Sequence, residues 1–193
     1  LAGRSVYLAI HPFNRREVDR QTASEPFIKK FFANQDIGRK ASKKPLRPEE
    51  VVRGSMPTIC LRQVKDPVIW FRGYEQTYLE RDVRELSRIE DLSVLRTLLR
   101  LASLRTGQLL SPSQLGRDAK LSAATTSRYL SLFEASFLIT RIQPYLGNRS
   151  SRLIKSPKMY LSDAGLASYL AGMELSPSIG NDPLYGAILE TYV

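Results

Sequence analysis

Ser111-Pro-Ser-Gln-Leu-Gly-Arg-Asp-Ala-Lys-Leu-Ser-Ala-Ala-Thr-Thr-Ser-Arg-Tyr-Leu-Ser-Leu-Phe-Glu-Ala-Ser-Phe-Leu-Ile139 decides the fold. Ser111 before Pro112 predicts a helix start, because proline suits the first helical position and serine can cap it. The helix Pro112–Ala119 would bury Leu115 and Ala119, and Gly116 offers a small surface where a crossing helix must come close. Lys120-Leu121-Ser122 is the expected turn, with Leu121 turned to the core and Ser122 capping a second helix. Tyr129, Leu130 and Phe133 of that helix are expected to face inward. Helix, turn and helix followed by a strand is the unit that lays its second helix in a DNA major groove.

Working outward on the C-terminal side, Phe137 to Ile142, a turn near Gly147-Asn148, and Arg152-Leu-Ile-Lys155 predict a β-hairpin wing. Ser162 or Asp163 would cap a closing helix, Ala164 to Leu170, ended by Gly172. The exposed tip of the second helix would be Ala123 to Arg128. Hydroxyls and helix-terminal N–H groups contact phosphate, and an arginine reaches base edges. The expected DNA contacts are therefore Thr125, Thr126, Ser127 and Arg128, with Arg149, Arg152, Lys155 and Lys158 on the wing. Few of these groups read bases strongly, so modest sequence specificity is expected.

On the N-terminal side, Asp91 should cap a helix whose leucines at 92, 95, 98, 99 and 101 cover a broad face, ended by Gly107. Trp70, Tyr74, Thr77, Tyr78, Arg81 and Glu85 recur at helical spacing and predict an amphipathic helix from Pro67 to about Ile89. Short helices are expected at Arg15–Val18, Pro26–Ala33 and from Pro48, and a short strand at Val6–Ile10. The polar, basic run Gln35–Lys44 reads as linker. The fold class is mainly α with a small β-hairpin, a helical connector plus a winged helix-turn-helix. Its expected segments are 1–66, irregular in part, 67–107 as the connector, 108–173 as the winged helix, and 174–193 as the start of a following domain.

Charge supports a polyanionic partner. The 193 residues carry a net charge of +10, and ten cations face two acids between Arg100 and Lys158, so that window supplies eight of those charges. Cys60 is the only cysteine, which excludes an internal disulfide and suits a reducing, cytoplasmic setting. His11 is the only histidine, which leaves no multi-histidine zinc site. No apolar run approaches a membrane span, so no membrane partner is expected. Asp163 reads as a helix cap, Cys60 as a small buried hydrophobe, and Trp70, Tyr74 and Tyr78 as core.

Tyr78-Leu-Glu-Arg-Asp-Val83, Leu110-x-x-x-x-Leu115, Arg128-Tyr-Leu-x-Leu-x-Glu134, Pro144-Tyr145 and Lys155-Ser-Pro-Lys-Met-Tyr-Leu-Ser-Asp-Ala-Gly-Leu166 occur in one order. Together they resemble the prokaryotic AAA-type ATPases whose nucleotide domain is followed by a winged helix and then a nuclease-like domain. Leu1-Ala-Gly-Arg and His11-Pro12-Phe13 are similar to the junction after the ATPase core. The chain departs from that family at Gly54-Ser-Met-Pro-Thr58, where Gly-Gly-Tyr-Pro-Glu is usual, and at Asp163-Ala-Gly165, where Asp-Thr-Gly is usual. It also lacks the phosphate-binding loop G-x-x-x-x-G-K-[ST]. The resemblance implies ATP and Mg for a parent protein, with the nucleotide chemistry upstream of Leu1, no cofactor in this chain, and no ATP hydrolysis by it alone. The upstream ATPase domain would be a partner in the same polypeptide; homo-oligomerisation stays open. Arg81, in a run that family shares, is either a sensor of nucleotide phosphates or an ion-pair partner of Glu85. Two rivals stand beside the DNA-binding expectation: a winged helix acting as a protein-interaction lid, and a plain transcription regulator with an N-terminal extension.

Overall fold

The computed structural model describes residues 8–23, 25–34, 45–83, 91–145, 147 and 155–193. The described chain is mainly helical with one small antiparallel sheet. In order it forms α1 (Arg15–Val18), α2 (Phe27–Asn34), α3 (Pro48–Arg53), α4 (Pro57–Cys60), α5 (Pro67–Thr77) with a π-helical continuation at Tyr78–Val83, and α6 (Leu92–Ser103). Then follow β1 (Gln108–Leu109), α7 (Pro112–Asp118), α8 (Ala123–Ala135), β2 (Ile139–Ile142), β3 (Lys158–Leu161), α9 (Ala164–Leu170), a short 3-10 turn (Ile179–Asn181) and α10 (Tyr185–Tyr192).

Helix starts follow local chemistry. Asp66 accepts hydrogen bonds from Val68 N at 2.8 Å and Ile69 N at 3.2 Å, with Pro67 next to it. Asp91 does the same for Ser93 N at 2.8 Å and Val94 N at 3.4 Å. Each satisfies N–H groups that a helix leaves orphaned at its first turn. Ser111 departs from expectation: its side chain makes no cap bond to the α7 backbone, and Pro112 alone marks the start.

Helix ends share one device. Arg20, Arg62, Lys120 and Phe137 follow α1, α4, α7 and α8 with φ of 55°, 55°, 57° and 61°. In each case the next N–H reaches back to a carbonyl five residues earlier, as from Leu121 N to Gly116 O at 2.8 Å and from Leu138 N to Phe133 O at 2.8 Å. This is the helix terminator that glycine serves best. Phe137 takes this backbone while its side chain is 71% exposed, so burial does little to offset the strain. Phe137→Gly is expected to raise stability by about 1 kcal/mol in chemical denaturation. A loss of stability would show that the ring holds something.

The sheet has the order β1-β3-β2, all antiparallel. Ile139 lies opposite Leu161 and Arg141 opposite Met159; Thr140 and Ile142 lie opposite Tyr160 and Lys158. Ile139, Met159 and Leu161 therefore point to the core, and Lys158 and Tyr160 point away from it. A small antiparallel β element is present, with β2 paired to β3 at Lys158–Leu161, and the expected second strand, Arg152 to Lys155, lies largely outside the described residues. β1 was not expected, because a two-residue strand shows no alternation. Gly107 (φ 74°) stands four residues beyond α6 and donates from N to Met159 O at 2.8 Å, so it opens β1 rather than ending a helix.

One apolar cluster runs from Val51 to Ile188 across all the segment boundaries expected from sequence. Leu95, Leu98, Leu99 and Ala102 of α6 share this cluster with Leu130 and Phe133 of α8 and with Met159 and Leu161 of β3, and α6 packs on α7, α9 and β3. In α9 every residue but Tyr169 is buried, as befits a helix surrounded by others. α3, α5, α6 and α10 all pack against it. Two expectations are corrected. Residues 8–10 form no strand and are exposed, with Val6 and Tyr7 outside the described residues. In α5 the buried stripe is Phe71, Glu75, Tyr78 and Leu79, while Trp70 and Tyr74 are half-buried, stacked at 5.4 Å; Tyr74 and Tyr78 stack at 6.2 Å. The helix widens at Tyr78, and residues 84–90 lie outside the described residues, Glu85 among them.

Candidate nucleic-acid interface

α7 and α8 cross at Gly116. A Cβ there would come within 2.6 Å of Thr126 Oγ1 and 2.9 Å of Leu121 O, so only glycine admits this approach. Ser122 caps α8: its Oγ accepts from Thr125 N at 3.1 Å and donates to Thr125 Oγ1 at 2.9 Å. Ser127 and Arg128 are exposed, and the Arg128 guanidinium lies 5.3 Å from the Tyr129 ring centroid. Thr126 is corrected. It is wholly buried, and its hydroxyl donates to Ser122 O at 2.9 Å, so it seats α8 against α7 and offers nothing to a ligand. Tyr129 is half-buried, and the inward stripe of α8 is Thr126, Leu130 and Phe133.

The basic window is thinner in space than in sequence. Arg105 pairs with Asp118, and Arg141 with Glu134 at 3.3 Å. Arg100 lies 3.7 Å from Glu75, a carboxylate outside the window that is only 4% exposed. Arg96 pairs with the same Glu75 at 3.2 Å, and Tyr169 OH donates to it at 3.0 Å. Lys158 has a partner: its ammonium lies 2.5 Å from Glu190 Oε1, and Tyr160 OH donates to the same oxygen at 2.6 Å. The hydrogen bond that Lys158 donates to Glu190 holds the Glu190 carboxyl below its ordinary range and the Lys158 ammonium above its own. Lys158 thus anchors α10 to the outer face of the sheet. Arg117, Lys120, Arg128 and Lys155 are exposed and have no carboxylate partner among the described residues. Arg149 and Arg152 lie outside those residues. Arg81 is exposed on the π-helical turn, without a partner among the described residues.

A second feature lies behind α9. Asp163 is 2% exposed; its Oδ1 accepts from Leu166 N at 2.7 Å and its Oδ2 from Ser55 N at 2.7 Å. It is a helix cap, as expected, but it also clamps the chain after α3. Burial pushes its carboxyl above the ordinary carboxylate range, against the pull of N–H groups from Ser55, Leu166, Gly165 and Met56. Gly54 (φ 76°) and Gly165 face each other: a Cβ on Gly165 would overlap Arg53 O, and one on Gly54 would fall 2.6 Å from Asp163 Oδ1. The two short motifs where the sequence departs from the resembled family therefore meet in space. Cys60 is half-buried, and its thiol is pushed up by burial.

Residues 45–176 match a family described as a domain of unknown function, DUF8612. The chain is 32% identical over 144 residues to the uncharacterized protein Rv2008c of Mycobacterium tuberculosis, and equally to the uncharacterized protein Mb2031c of Mycobacterium bovis. Each alignment covers 74% of this chain and 32% of the relative, so the chain spans about a third of the length of these relatives. No solved structure matches it.

Proposed function

The chain belongs to the DUF8612 family, and from that premise we propose that α7, α8 and the β2–β3 hairpin act as a winged helix-turn-helix that engages duplex DNA. The supporting observation is that Ser127 and Arg128 on α8, Arg117 on α7 and Lys120 in the turn between them are all exposed, and the three cations have no carboxylate partner among the described residues. Phosphate contacts from these cations and from the α8 backbone would position the helix, and Arg128 would supply most of the base reading. The unit would belong to a longer AAA-type ATP-binding protein of the cytoplasm, whose ATP and Mg sit in another domain and whose nucleotide state is coupled to DNA engagement. The motif order from Tyr78 to Leu166 supports this, as does the greater length of the relatives. No described helix is long and apolar enough to cross a membrane.

Duplex affinity of single variants tests the interface. Arg128→Ala is expected to weaken binding about tenfold and relax sequence preference, and Lys120→Ala to weaken all sequences alike. Lys158→Ala, whose charge already serves Glu190, should change affinity little. Equal losses at Lys158 and Arg128 would overturn the assignment.

One observation favours a protein-docking role instead. Leu109 and Ile142 flank Lys158 on the outer sheet face and are 67% and 55% exposed. An apolar strip of this kind suits a protein partner. That reading gains if Arg128→Ala leaves DNA affinity unchanged.

A further inference from the structure

We infer that the cavity between α3, α4 and the end of α10 is a binding site for a small phosphate-bearing anion. The cavity has a volume of about 570 Å³, within the range of small-molecule sites. Arg47, Arg53 and Arg62 line it, and none of their guanidinium groups has an ion-pair or hydrogen-bond partner among the described residues. Of the carboxylates on its wall, Glu50 is paired at Oε1 with Arg15 Nε at 3.0 Å and accepts there from Tyr192 OH at 3.5 Å, and Glu49 is exposed. Burial pushes the Tyr192 phenol up to about 12, so it stays neutral and adds no competing negative charge.

Two of the arginines occupy positions where the backbone would be better served by another residue. Arg47 stands at the N-cap of α3 and makes no side-chain cap bond, where serine, aspartate or asparagine would. Arg62 holds φ 55°, where glycine would be unstrained. Neither side chain is required by its own backbone conformation, so both can be replaced there without local cost. Three guanidinium groups face two carboxylates on this wall, which leaves one cation in excess, and a phosphate monoester presents three terminal oxygens and close to two charges to meet them. Val18, Cys60 and the Tyr192 ring leave a less polar wall for the organic group. None of these residues belongs to the proposed DNA interface, so the two proposals stand or fall separately.

Because Arg47→Ser and Arg62→Gly each favour the local backbone, both variants should fold and keep their thermal midpoint. Titration calorimetry of the full chain with pyrophosphate and with adenosine monophosphate, against chloride at equal ionic strength, should show saturable binding. Each variant should lose about tenfold in affinity or more. No saturable heat with either phosphate, or unchanged affinity in both variants, would overturn the proposal. So would a loss confined to duplex DNA.

Discussion

Gly165→Ala is expected to abolish the folded state or to destabilise it by more than about 4 kcal/mol, the range reserved for substitutions with no room to relax. Gly165 lies inside α9, the helix on which α3, α5, α6 and α10 converge. The added methyl would overlap the backbone carbonyl of Arg53, and a backbone carbonyl cannot swing away as a flexible side chain can. Relief requires α3 to move, which would pull Ser55 from Asp163 and Val51 from the core. Gly73 is the control. It sits in α5 with nothing within 4 Å of its missing Cβ, so Gly73→Ala should stabilise by about 0.5–1 kcal/mol through helix propensity alone. Denaturant midpoints that moved the same way for both variants would contradict the packing described here.

Asp163→Ala is expected to cost about 2–6 kcal/mol, because Ser55 N–H and Leu166 N–H would be left without acceptors, at roughly 1–3 kcal/mol each. Asp163 also gives stability a pH signature. Its carboxyl is raised above the ordinary 3.8, so the folded chain holds a proton that the unfolded chain has released. Between that value and the raised one, unfolding frees a proton, and stability must fall as pH rises. Asp91 and Glu190 act oppositely: their carboxyls are held below 3.8 and 4.5, so their contributions are lost as pH falls beneath those values. Stability is therefore expected to pass through a maximum in mild acid. Asp163→Asn should remove the decline on the alkaline side of that maximum, and a decline that persists would assign it to another group.

Much of the fold was legible because helix starts are written locally. Asp66-Pro67, Asp91 and Ser122 each announce a helix within three residues, and Gly116 announces a close crossing. What escaped depends on partners distant in sequence. Glu75 carries no local sign of burial, yet Arg96, Arg100 and Tyr169 surround it. The charge count between Arg100 and Lys158 could not include Glu75 and Glu190, which lie outside it and occupy two of its cations. Thr126 was detectable: it stands one turn before Leu130 on the stripe that continues to Phe133, so a threonine there seals the helix crossing. The hub role of α9 had no such signal. Ala164-Gly165-Leu166-Ala167-Ser168 is weakly apolar, and its importance comes from being small enough to let four helices come close.

Duplex binding measured against salt concentration tests the central claim most directly. Arg117, Lys120, Arg128 and Lys155 are exposed and unneutralised among the described residues, and each phosphate they meet should add roughly −0.9 to the slope of log affinity against log salt. A slope of about −2 to −4, reduced by about one unit in Arg128→Ala, is the expected result. A slope near zero, or no binding at low salt, would contradict the proposal that this surface engages DNA.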